Sequence, residues 1–132
     1  MEITVTHEQN RVPVTVLHVE GNTDSESSAM LQKKAMEVID GGARYLIFDL
    51  SKVPFMSSAG LRVLQEVFNK LREVAPDESD NEMHRHIADG SYQLPNLKIV
   101  NPTPEVMEVL KMSGFDMLVS VEHDLKKAID SI

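Results

Sequence analysis

Ser57 and Ser58 are the adjacent hydroxyls in this 132-residue chain whose setting suggests chemistry. They follow Pro54-Phe55-Met56 and precede Ala59-Gly60-Leu61-Arg62-Val63-Leu64. A hydroxyl in the first turn of a helix has two uses. It accepts from backbone N–H groups that have no partner inside the helix. It can also carry an anion, because the positive end of the helix dipole favours one. With Ser57 as the cap, Ser58 is the first helical residue, and a phosphate on its outward hydroxyl has a ready-made setting. The plainer reading is that both serines only cap. Spacing alone leaves both open.

Other chemistry finds little support. Ser58 is not in a Gly-x-Ser-x-Gly elbow. No glycine-rich loop with a lysine offers to cradle phosphates. The five histidines form no recognisable base–nucleophile pairing, so an enzyme is not expected. His84 and His86 stand near Glu82 and Asp89, but no matching ligand set lies elsewhere; a solvated loop is the stronger reading than a metal site. His18 reads as structural or surface, since nothing in the sequence places an acid or a nucleophile near it. A formal charge of −8 argues against nucleic acid or an anionic membrane as partner. The absence of cysteine rules out disulfide and thiolate chemistry and is compatible with the cytoplasm. The N-terminus lacks the pattern of a signal peptide. No apolar run approaches the roughly 20 residues of a membrane span.

The serines need a strand before them and a helix after them. Tyr45-Leu46-Ile47-Phe48-Asp49-Leu50 is apolar almost throughout, as suits a strand covered on both faces. Pro54 breaks it. Leu61, Leu64, Phe68 and Leu71, widened by Val63, Val67 and Val74, form the stripe of an amphipathic helix; Arg62, Gln65, Glu66, Asn69 and Lys70 fall on its other faces. Upstream, alternation at Ile3 and Val5, a turn at Gln9-Asn10-Arg11 and a strand over Val12–Val19 predict a hairpin. Thr23-Asp24-Ser25-Glu26 has capping-box spacing with Thr as cap. Its helix runs to about Ile39, burying Leu31, Ala35 and Val38, and ends at Gly41-Gly42.

Downstream, 75–96 holds Pro76, Asp77, Glu78, Asp80, Glu82, Asp89, Gly90 and Pro95 and reads as a mobile acidic excursion outside the core. Leu97–Val100 is a short strand. Thr103 caps a helix with Pro104 first, burying Val106, Val109 and Leu110 and stopping at Gly114. Phe115–Val119 is expected to be extended, and Ser120 to cap a last helix carrying Leu125, Ala128 and Ile129. One α/β domain over 1–132 follows, a mixed β-sheet opening with a hairpin and packed by amphipathic helices.

The segment Asp49-Leu50-Ser51-x-Val53-x-Phe55-Met56-Ser57-Ser58-Ala59-Gly60-Leu61-x-Val63-Leu64 resembles the signature of STAS domains, in particular the bacterial anti-sigma factor antagonists. Val19-Glu20-Gly21-Asn22-Thr23-Asp24 is similar to the family's second strand and the start of its first helix. Val100–Val106 followed by Leu110–Phe115 is similar to a later strand–helix unit. The resemblance implies phosphorylation of the serine two before the glycine, here Ser58. It implies a partner surface of Ser57, Ser58, Ala59, Gly60, Leu61 and Arg62. The family often has Asp before the acceptor, where this chain has Ser57; capping survives and a negative charge is lost.

The same resemblance implies partner switching. The unmodified form binds an anti-sigma factor that is itself a serine kinase, which frees a sigma factor. Phosphorylation releases the antagonist, and a PP2C-type phosphatase resets it. The chain is then substrate and ligand, without a cofactor of its own; ATP belongs to the kinase. The alternative is a non-phosphorylated STAS-like regulatory or scaffold module of a sensor or lipid-transport complex. A free-standing chain disfavours a transporter tail.

Overall fold

The computed structural model describes residues 1–74 and 93–132. The chain opens with the predicted hairpin, β1 (Glu2–Gln9) antiparallel to β2 (Pro13–Glu20), with Ile3 opposite Val19. Then come α1 (Ser25–Asp40), β3 (Leu46–Lys52), α2 (Ser58–Val74), β4 (Leu97–Val100), α3 (Pro104–Ser113), a 3-10 turn at Phe115–Met117, β5 (Ser120–Glu122) and α4 (Leu125–Asp130). The strands stand in chain order, and β2 to β5 are mutually parallel. This is the expected mixed sheet.

Alternation along the strands divides the apolar residues between two faces. Leu17, Val19, Leu46, Phe48, Leu50, Leu97 and Ile99 share the main core with Leu31, Ala35 and Ile39 of α1, the α2 stripe, and Val106 and Leu110 of α3. Val14, Val16, Ile47 and Val100 face the other way, against Ala128 of α4. β3 is therefore buried on both sides at its start, which accounts for its unbroken apolar run. Lys98, nearly buried on the α4 side, is neutralised by Glu122 at 2.9 Å.

Several local expectations shift. The cap of α1 is Asp24, not Thr23: Ser27 N–H donates to Asp24 Oδ1 and Asp24 N–H to Ser27 Oγ, each at 2.9 Å, so Ser27 and not Glu26 closes the box. Thr23 is fully buried and engaged elsewhere. Ile39, not Val38, is the last fully buried residue of α1. In α2 the stripe centres on Val63, Leu64, Val67, Phe68 and Leu71, while Leu61 and Val74 are only half-buried. Thr103 and Pro104 start α3 as expected, though Val109 is half-buried. Phe115 is not extended. Gly114, in the left-handed region at φ 78°, turns the chain so that Phe115 packs edge-on against Phe68, centroids 6.1 Å apart. Ser120 opens β5, and Asp124 caps α4 through Lys127 N–H at 3.0 Å.

The acidic excursion, with His84 and His86, lies outside the described residues except at its end. There the boundary moves back. Leu94 is 3% exposed and its N–H donates to Leu118 O at 2.9 Å. Asn96 accepts from Leu46 N–H and donates through its side-chain amide to Arg44 O, each at 2.9 Å. Leu94 and Asn96 thus belong to the folded body. Leu94→Ala is expected to cost about 2–5 kcal/mol, read as a lower urea midpoint with an unchanged slope. A change within a few tenths of a kcal/mol would remove Leu94 from the core.

Candidate functional site

The loop from β3 to α2 is held at each residue that could slip. Val53 is buried, and its carbonyl accepts from Thr103 Oγ1 of the α3 cap at 2.9 Å. Met56 is buried and forms a parallel bridge with Thr23. Thr23 N–H donates to Phe55 O at 3.1 Å, and Ser57 N–H donates to Thr23 O at 2.9 Å. The Thr23 hydroxyl repeats the pattern, accepting from Ser57 N–H at 3.3 Å and donating to Phe55 O at 3.4 Å. Backbone and side chain of one residue therefore grip the loop on both sides of Met56. Sequence reading assigned Thr23 to a cap and missed this role.

Ser57 caps α2 as expected: its Oγ accepts from Gly60 N–H at 3.2 Å and its carbonyl from Leu61 N–H at 3.0 Å. Ser58 is the exposed first residue of the helix. No acidic residue lies in that first turn, so the positive helix end is uncompensated from within α2. Arg62 is exposed, Ser57, Ala59 and Leu61 are half-buried, and Gly60 is buried. Gly60 acts through its position. A Cβ there would lie 2.4 Å from Thr23 Oγ1 and 2.8 Å from Thr23 Cβ. Only a glycine lets the first turn close on the clamp.

Behind the loop lies a polar chain that the sequence did not reveal. His18 of β2 stands opposite Asp49 of β3, and its Nδ1 is 2.9 Å from Asp49 Oδ2. The other ring nitrogen is 3.1 Å from Thr6 Oγ1 on β1. Asp49 Oδ1 accepts from the Ser51 hydroxyl at 2.8 Å and the Ser51 amide at 3.1 Å. An acid does flank His18, contrary to expectation, because the two meet only through strand register. The pairs His18–Asp49 and Glu20–Lys52 leave one extra residue on β3 between them, a bulge that bends the strand into the loop. Burial pushes the Asp49 carboxyl up, but the hydrogen bonds from Ser51 and His18 outweigh it and hold the group below its ordinary value of 3.8.

Chemically, the site presents a hydroxyl to which no imidazole or carboxylate of the described residues hydrogen-bonds, at Ser57 or at Ser58. The described residues also hold no group of three or more potential metal ligands among His, Cys, Asp and Glu. None of their helices is long and apolar enough to cross a membrane.

The chain is thus a mixed α/β sheet packed by helices that sets an exposed serine at a capped helix start. The family model described as STAS domain matches residues 4–75, more than half the chain. The chain belongs to the STAS family. A Bordetella bronchiseptica protein with the provisional name anti-sigma factor antagonist BtrV is 29% identical over 110 residues, spanning 83% of this chain and 78% of its own. An anti-sigma factor antagonist from Mycobacterium paratuberculosis shares the fold with a TM-score of 0.73 at 21% identity, over 99% of this chain and 94% of that one. Bacillus SpoIIAA does so in its unphosphorylated form (TM-score 0.68, 19% identity, 97% and 95% of the two chains) and in its phosphorylated form (0.64, 18%, 97% and 98%).

Two outcomes test this geometry. Gly60→Ala is expected to cost about 1–3 kcal/mol through overpacking. Combined with Thr23→Ala, which removes the nearest atom, the loss should be smaller than the sum of the single losses; strict additivity would separate the two residues. The second concerns acid. A carboxylate depressed in the native state contributes stability that is complete above its unfolded pKa and lost as pH falls through the native one. Below pH 3.8, therefore, the unmodified protein should lose stability more steeply than Asp49→Asn, measured by denaturant titration at each pH. Parallel curves would refute the role given to Asp49.

Proposed function

We propose that this chain is an anti-sigma factor antagonist that works by partner switching, with Ser58 as its phosphorylation site. The observation that carries the reading is the exposed Ser58 hydroxyl at a helix start with no acid in its first turn, and with no base hydrogen-bonded to it among the described residues. Such a group is suited to be a substrate. The names of the relatives, and the existence of a phosphorylated form of SpoIIAA, support the same role. In this reading the partner is an anti-sigma factor with serine kinase activity, and a PP2C-type phosphatase reverses its action. The exchange uses the kinase's ATP and belongs in the cytoplasm.

The contact surface centres on Ser58 and Arg62, flanked by Ser57, Ala59 and Leu61. Phe55, 53% exposed, adds an apolar anchor beside them. Gly60 contributes from below by letting the helix start close. A phosphoserine carries about −1.5 to −2 charges at neutral pH. At the centre of an interface it must be desolvated, and without a counter-charge on the partner this costs several kcal/mol. A loss of about 4 kcal/mol is roughly a thousandfold in affinity. The helix start accommodates the charge favourably, so the fold need not change for the surface to be blocked.

The test is reaction with the cognate kinase and ATP, with the phosphate mapped by mass spectrometry. Ser58 is expected to be modified; modification of Ser57 alone, or of neither, would overturn the reading. Ser58→Ala should still bind the kinase partner, and Ser58→Asp should bind it more weakly.

A further inference from the structure

The N-terminal halves of α1 and α2 leave a notch of about 210 Å³ between them, walled by Ser28 and Gln32 on one side and Arg62 and Glu66 on the other. Its polar groups are unevenly spent. The Gln32 amide donates to Glu66. That engages the carboxylate one turn beyond Arg62, the usual partner for a helical arginine. Arg62 itself is exposed and in no ion pair among the described residues. On the facing wall Ser28 is only 3% exposed and its hydroxyl has no hydrogen-bond partner there. The notch thus keeps a guanidinium and a hydroxyl in reserve, and its rim is the turn that begins with Ser58.

Helix geometry brings the two ends together. Residues four apart on a helix are surface neighbours, with Cβ atoms roughly 5–6 Å apart. An anion that precedes a cation at this spacing is the favourable order, and an anion at position 58 also complements the positive helix end. A guanidinium also grips phosphate oxygens in pairs.

We infer that Arg62 is the receiver of the phosphate on Ser58, a clamp within α2 at the edge of the notch. The inference rests on Ser58 being the modified residue, and it adds a second effect to the switch. One event places an anion on the contact surface and withdraws a cation from it. A partner that met Arg62 in the unmodified form loses that contact as well as gaining the charge.

The test needs no kinase. Phosphoserine is installed at position 58 of the full chain through an expanded genetic code, and the second ionisation of the phosphate is followed by phosphorus NMR. The measurement is repeated with Arg62→Gln and Arg62→Lys, with circular dichroism confirming that each variant is folded. The ionisation constant of the parent should be about two- to five-fold larger than that of Arg62→Gln, in line with a charge-assisted helical pair. The gap should narrow in high salt, and Arg62→Lys should recover only part of it. Equal constants in folded parent and folded Arg62→Gln would overturn the clamp. Kinase mapping that finds another acceptor overturns the functional reading instead, so the two failures are distinguishable.

Discussion

The grip of Thr23 on the β3–α2 loop is the constraint on which the site depends. Its amide, carbonyl and hydroxyl all bond to the segment from Phe55 to Ser57. A buried polar group left unpaired costs about 1–3 kcal/mol, so these groups resist separation. The grip fixes where α2 starts, and with it where the unpaired N–H groups of the first turn emerge. It also sets a size limit at Gly60, the residue that faces Thr23 across the turn. Ser58 sits between these two fixed points, and its exposure follows from their positions.

The electrostatics divide along the same line. The chain is acidic overall, with a formal charge of −8, yet the first turn of α2 carries no acid and is followed by Arg62. A phosphate placed there would meet the positive end of the helix and a nearby cation, despite the net negative charge of the whole molecule. Asp49 lies behind the loop, and its charge is tied up by Ser51 and His18. That network links β1, β2 and β3 where β3 bends toward the site, so it helps to hold the strand end without adding a free negative charge.

The element types and their order were legible in the sequence because they rest on local rules. The apolar run of β3, the stripe of α2, Ser57 as its cap, Thr103-Pro104 at the start of α3 and Gly114 at its end each need only neighbours within a turn or two. Ser58 as the first helical residue follows from the cap. Local reasoning erred where a distant group took a side chain away. Thr23 reads as a cap until Met56 bridges to it, which leaves Asp24 to do the capping. Phe115 reads as extended until Phe68 packs beside it. Leu94 reads as part of an acidic excursion until Leu118 accepts from its amide.

By itself, then, the sequence determined an α/β chain with a helix that starts at a serine pair, since hydrophobic period and capping are properties of a short segment. Only the tertiary structure decided what surrounds that start. The meeting of Thr23 with Gly60, of His18 with Asp49 and of Ser28 with Arg62 joins residues 31 to 37 positions apart. Such pairs are set by strand register and by the packing of helix on helix, and no local period encodes them.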